Sequence, residues 1–234
     1  MSDTPNRPLI VTTKQTASPL AIRVNVLRRN ASEQLALVQT VTLQESTINW
    51  SSFATGPDGS VFCAIVGSSA VDEMCRTPGA ANAPFGAAAK AHRLPTDIYY
   101  ICGFECDGEH RVAASFKDNS VRIFRATGDG LCELQQIRAP HANWTPYSLV
   151  GLADGAFCIS SYCTDSKGIE LCAADASGVL STPRRLMQFT NFVALWCHSR
   201  PADASHSATR IFAAENNSSI TATTALLVFY LQQD

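Results

Sequence analysis

The sequence predicts an all-β fold assembled from a repeated antiparallel unit of four strands. Three observations carry this expectation. An apolar run, an Asp-Gly pair and a second apolar run return at a spacing of roughly 48 residues, within the range of repeat architectures. A strand pair with alternating apolar and polar faces follows at a similar spacing, and an Asn-Trp pair opens two of the units. No 3.6-residue amphipathic pattern of helical length competes with these signals.

The first element spans Ser51 to Cys63 around Asp58-Gly59, Ile101 to Val112 around Asp107-Gly108, and Ser148 to Cys158 around Asp154-Gly155. Asp-Gly suits the tight turn between two strands, because Gly takes positive φ without steric cost. The three aspartates therefore read as turn formers rather than as calcium ligands or catalytic acids. The second element is an outer hairpin: Ile22–Arg29 with Leu35–Val41, Val121–Arg125 with Leu131–Ile137, and Ile169–Ala173 with Val179-Leu180. Interleaved, the elements give units over roughly 47–95, 96–138, 143–187 and 190–234, after a partial unit over roughly 8–43.

Asn49-Trp50 and Asn143-Trp144 stand at the openings of two units, and Trp196 sits in a comparable run. Two stretches break the pattern. Residues 71–95 are rich in Ala, Gly and Pro and show no clear hairpin, and residues 199–208 are similarly irregular. Both read as loop insertions in one domain covering 1–234, whose last unit stops after a third strand.

Four short antiparallel strands per unit resemble one blade of a β-propeller, and the pattern is similar to the WD-repeat propellers in a degenerate form. The Gly-His and Trp-Asp pairs of that family are absent; the inner Asp-Gly pair and the outer hairpin survive. The resemblance implies about five degenerate four-stranded blades, in a small ring or in an incomplete or open one. Leu9–Thr13 is a candidate closing strand beside Ala225–Leu231. The alternative is an antiparallel β-sandwich.

Composition narrows the function classes. The chain has 234 residues, 46% of them apolar and 16% charged, with a net charge of −2. This is the balance of a chain that buries a core, and it offers no basic footprint for nucleic acid. There is no run of 18 apolar residues, so membrane insertion is not expected, and the polar start lacks the apolar stretch of a secretory leader. The nine cysteines, several within apolar runs, read as reduced buried residues. The location expected is cytoplasmic or nuclear.

Candidate sites are few. Cys102, Cys106 and His110 form the best metal pattern by residue type, but a turn separates His110 from the two thiols and no second pair lies nearby. Neither a Gly-x-Ser-x-Gly elbow nor a phosphate-cradling glycine loop occurs, and the five histidines are scattered. The expectation is no cofactor and no enzyme activity. In a propeller, Asn49, Trp50, His141, Asn143, Trp144 and Asn191 would cluster on one face, where Trp anchors protein interfaces. The function expected is a non-enzymatic interaction scaffold in an intracellular complex, with other protein subunits as partners, including one that completes the ring. The alternative is a small enzyme or ligand-binding protein with a site in the channel, using zinc.

Overall fold

The computed structural model describes residues 9–15, 21–29, 32, 34–44, 51–55, 60–65, 67–74, 84–86, 90–127, 130–152, 155–163, 166–189, 193–194, 208–215 and 225–232. These form five antiparallel sheets, each made of strands consecutive in sequence. The first sheet holds β1 (Leu9–Gln15), β2 (Ala21–Arg29) and β3 (Leu35–Gln44). The second holds β4 (Ser51–Thr55), β5 (Val61–Ile65), β6 (Ala70–Met74) and β7 (Lys90–Arg93). In the third are β8 (Ile98–Cys106), β9 (Glu109–Phe116), β10 (Val121–Thr127) and β11 (Gly130–Ile137). The fourth contains β12 (Thr145–Gly151), β13 (Ala156–Cys163), β14 (Ser166–Ala173) and β15 (Arg184–Phe189). The fifth contains β16 (Val193–Ala194), β17 (Ala208–Glu215) and β18 (Ala225–Gln232).

The inner strands of the second and third sheets read as nearly continuous apolar runs because both faces of each sheet are covered. Side chains alternate along a strand, so neighbouring residues enter different interfaces. Val61, Cys63 and Ile65 of β5 pack with Val24, Val26 and Val41 of the first sheet. Phe62 and Ala64 turn the other way, onto Ile101, Val112, Ala114 and Phe116 of the third. Cys102, Phe104 and Ala113 then meet Trp144, Leu149, Phe157 and Ile159 of the fourth. Each fully buried Ile, Val or Phe contributes about 1.5–3 kcal/mol, and that burial stacks one sheet on the next.

The first strands β4, β8 and β12 lie side by side. Their approach is close enough that a Cβ on Gly151 would collide with the carbonyl of Gly103. Consecutive four-stranded sheets that stack through adjacent first strands are the blades of a β-propeller. The sandwich alternative is thereby excluded, since it would divide the strands between two sheets.

At the Asp107-Gly108 turn both residues have positive φ, 53° and 72°, the geometry of a type I′ hairpin. Three details differ from the sequence expectations. The second blade has both outer strands, β6 and β7, inside the stretch read as a loop. The outer strand of the fourth blade is β15, whereas Leu180 forms only an isolated bridge to Ala174. The candidate closing strand β1 pairs with β2, and β18 pairs with β17.

Candidate functional site

The first strands of the third and fourth blades are irregular at the same end. In the β8–β9 ladder, Ile98 faces Phe116 and Tyr100 faces Ser115, leaving Tyr99 as an extra residue. In the β12–β13 ladder, Pro146 faces Ser161 and Leu149 faces Ile159, so Tyr147 and Ser148 share the space opposite Ser160. Bulges of this kind re-aim side chains and release backbone groups from the ladder, and buried backbone groups need replacement partners.

Serines supply those partners. The Tyr100 N–H donates to Ser115 Oγ at 3.1 Å, and the Ile101 N–H donates to Ser52 Oγ at 2.8 Å. The Ser148 N–H donates to Ser160 Oγ at 2.9 Å, and the two hydroxyls are 2.7 Å apart. Ser115 Oγ donates to the Tyr147 carbonyl at 2.6 Å. All four serines are buried.

The bulges bring four tyrosines together. The ring of Tyr147 lies 5.3 Å from that of Tyr100, 5.6 Å from Tyr99 and 5.8 Å, edge-on, from Tyr162. These are the offset and edge-to-face separations that aromatic quadrupoles favour. All four rings are half-buried. Burial, reinforced by the neighbouring Tyr147, pushes the Tyr100 phenol up to about 12. Burial likewise raises Tyr147, with Tyr99 adding to it, and Tyr162, with the other tyrosines adding to it. The phenols of Tyr100, Tyr147 and Tyr162 therefore stay neutral at physiological pH. Tyr100 and Tyr147 can stack against a ring and donate hydrogen bonds, but none of the three acts as a phenolate base.

A second polar cluster occupies the same end of the fourth blade. Glu170 on β14 is 0% exposed, and a buried carboxylate requires partners. Trp144 Nε1–H donates to its Oε2 at 2.6 Å, while Arg185 Nε and Nη2 donate to its Oε1 at 3.1 and 2.9 Å. Glu170 and Arg185 stand directly opposite each other across the β14–β15 ladder, beside a register shift. His141, 43% exposed at its side chain, places Nε2 3.6 Å from Glu170 Oε1 and 3.2 Å from Arg185 Nη2.

Of the residues expected on a partner surface, Asn49, Trp50 and Asn191 lie outside the described residues. His141, Asn143 and Trp144 share the connection from β11 to β12. Asn143 sits at a φ of 60° in the turn. Trp144 is 1% exposed within the interface of the third and fourth blades, and this corrects its expected place on an outer face. A buried indole needs an acceptor for its N–H, and Glu170 holds it inside.

The metal pattern is dispersed. Cys102 and Cys106 are buried in the blade interface, whereas His110 Nε2 sits 3.1 Å from Glu105 Oε1. Among the described residues no three His, Cys, Asp or Glu side chains are grouped to hold an ion. The end bearing the Asp107-Gly108 turn has a cleft of about 360 Å³ lined by Glu105, Cys106, Asp107, Gly108, Gly155, Ala174 and Asp175. Asp175 is committed there to its own turn. Its carboxylate accepts from the Ser177 hydroxyl and from the Ser177 and Val179 amides, which hold it below its ordinary range.

No protein-family model matches the sequence, and no curated protein matches it. Solved structures do. The chain is similar to the periplasmic gluconolactonase PpgL of Pseudomonas aeruginosa, with 21% identity and a TM-score of 0.54 over 97% of this chain and 68% of that one. It is similar to a Bacteroides fragilis protein named for 6-phosphogluconolactonase activity, with 12% identity and a TM-score of 0.54 over 93% and 69% of the two chains. The Dos1 propeller matches with 10% identity and a TM-score of 0.51 over 84% and 50%. These similarities establish the fold, a β-propeller of several blades. They also correct the expectation of a non-enzymatic scaffold, which rested on fold analogy. Propellers of this shape include proteins named as lactonases, so the fold does not single out a scaffold.

Proposed function

We propose that the chain binds an uncharged sugar-derived ring at the tyrosine pile on the first strands of the third and fourth blades, and that it hydrolyses a sugar lactone there. The observation that supports this reading is the pile itself: half-buried aromatic rings gathered where two bulges interrupt the first strands β8 and β12. A sugar ring has an apolar C–H face that gains by leaving water for an aromatic surface. Its hydroxyls and carbonyl accept hydrogen bonds from neutral phenols. At this end of the blades Lys117 is held by Asp97 at 3.1 Å and Arg185 by Glu170. With these two charges paired, the neutral phenols are the recognising groups of this reading, which suits a neutral ring.

In lactone hydrolysis, water adds to the ring carbonyl and the ring C–O bond breaks, giving the open hydroxy acid. Negative charge develops on the carbonyl oxygen, where a placed O–H donor is worth most. A tyrosine hydroxyl fills that role. The lactonase names of the structural neighbours favour this reaction class among those open to a sugar ring. The finer kinship with WD repeats is also a proposal, supported by the order of an inner strand pair followed by an outer hairpin.

The test is acid release from δ-gluconolactone, followed in a pH-stat against the spontaneous rate. Catalysis that falls at least ~10-fold in Tyr147→Ala, equivalent to about 1.4 kcal/mol, supports the reading. A wild-type rate equal to the spontaneous one rejects lactone hydrolysis.

A further inference from the structure

We propose that Ser115 is the positioning residue of the tyrosine pile, setting the separation of Tyr100 and Tyr147 across two blades. Its relevance to a ligand rests on the proposed function; its effect on the rings does not. Ser115 lies on β9, outside both bulged strands, and is 0% exposed. Its hydroxyl donates to the Tyr147 carbonyl at 2.6 Å and accepts from the Tyr100 N–H at 3.1 Å. One oxygen therefore ties the bulge of β8 to the bulge of β12, using one donor and one lone pair.

The other serines of this layer do different work. Ser148 and Ser160 bond to each other within the fourth blade, and Ser52 reaches Ile101 from the second. Both bulged backbones are short of ladder partners at this point, so their spacing depends on what joins them. The Tyr100–Tyr147 ring separation of 5.3 Å follows from that joint. Alanine supplies neither bond, and a thiol donates weakly from a longer arm. Threonine keeps the hydroxyl and suits a strand.

The experiment compares Ser115→Ala, Ser115→Cys and Ser115→Thr with the wild type, using Ser161→Ala as a buried-serine control. One readout is the near-ultraviolet circular dichroism of the tyrosine band, which reports ring coupling without any ligand. The other is calorimetric affinity for glucose and for δ-gluconolactone. The proposal expects folded Ser115→Ala to lose tyrosine-band intensity and to bind either ring ~10-fold more weakly, about 1.4 kcal/mol. Ser115→Thr should restore both signals, and the control should change neither. If Ser115→Ala does not fold, Ser115→Cys carries the test and should show the same losses in smaller measure. A wild-type tyrosine band in Ser115→Ala or, failing that variant, in Ser115→Cys overturns the proposal. So does a folded Ser115→Thr that restores nothing. If the wild type binds neither ring, the proposed function fails, and the tyrosine band alone decides the role of Ser115.

Discussion

Trp144 donates its indole N–H to Glu170 Oε2 at 2.6 Å in a place that water does not reach. The pair joins the entry of one blade's first strand to its third strand, and Arg185 balances the charge from the fourth. Removing one member of a buried charged set costs far more than replacing the set. Glu170→Leu should therefore destabilise the protein by about 3–5 kcal/mol, and Trp144→Phe by about 1–3 kcal/mol through the lost bond. The destabilisation of the double variant should fall short of the sum of the two, with a coupling of about 0.5–3 kcal/mol. Urea midpoints at constant m-value measure it, and strict additivity would show that the bond carries no stability.

Gly151 and Gly108 should respond differently to alanine. A Cβ on Gly151 meets the backbone carbonyl of Gly103, which cannot rotate aside, whereas a Cβ on Gly108 meets nothing within 4 Å. Gly108→Ala bears only the cost of a left-handed conformation, about 1–2 kcal/mol. Gly151→Ala forces adjacent first strands apart and should cost about 3 kcal/mol or more. Equal losses of thermal stability would contradict the close approach of β8 and β12.

Alkaline pH should unfold the protein through its tyrosines. The folded state holds the Tyr100 proton up to about 12, above the 10.0 of an ordinary tyrosine. The unfolded chain therefore releases protons first as pH rises, and stability falls with pH wherever the native state binds more of them. The contribution is fully present below pH 10, declines above it and is lost near 12. Urea midpoints across this range should fall, less steeply in Tyr100→Phe. A flat profile would show that the rings are not buried as described.

Two buried serines offer a matched comparison. Ser161 Oγ has no hydrogen-bond partner among the described residues, whereas Ser115 Oγ bonds two backbone groups. Ser161→Ala should change stability by no more than about 0.5 kcal/mol or raise it, and Ser115→Ala should lower it by about 1–3 kcal/mol. Chemical denaturation of the two variants side by side decides this.

The blade register was legible because Asp-Gly turns and strand alternation are local signals, fixed by φ preference and side-chain period. The outer strands β6 and β7 were not: AVDEM and KAHR are short and interrupted by charged residues, and their pairing comes from the neighbouring strand. Trp144 was visible as a recurring residue, but its burial depends on Glu170, which lies on another strand. The tyrosines left one trace that passed unread. Tyr100 and Tyr147 stand the same distance before their Asp-Gly pairs. Their convergence needs two bulges, and a bulge exists only relative to a partner strand's register.

The most direct test of the central claim is calorimetric titration of the purified chain with glucose and δ-gluconolactone, alongside Tyr147→Ala and Tyr100→Ala. Saturable binding of a neutral ring that weakens at least ~10-fold in each variant, about 1.4 kcal/mol, is the predicted result. Absence of binding to either ring, or binding that both alanine variants retain in full, would contradict it.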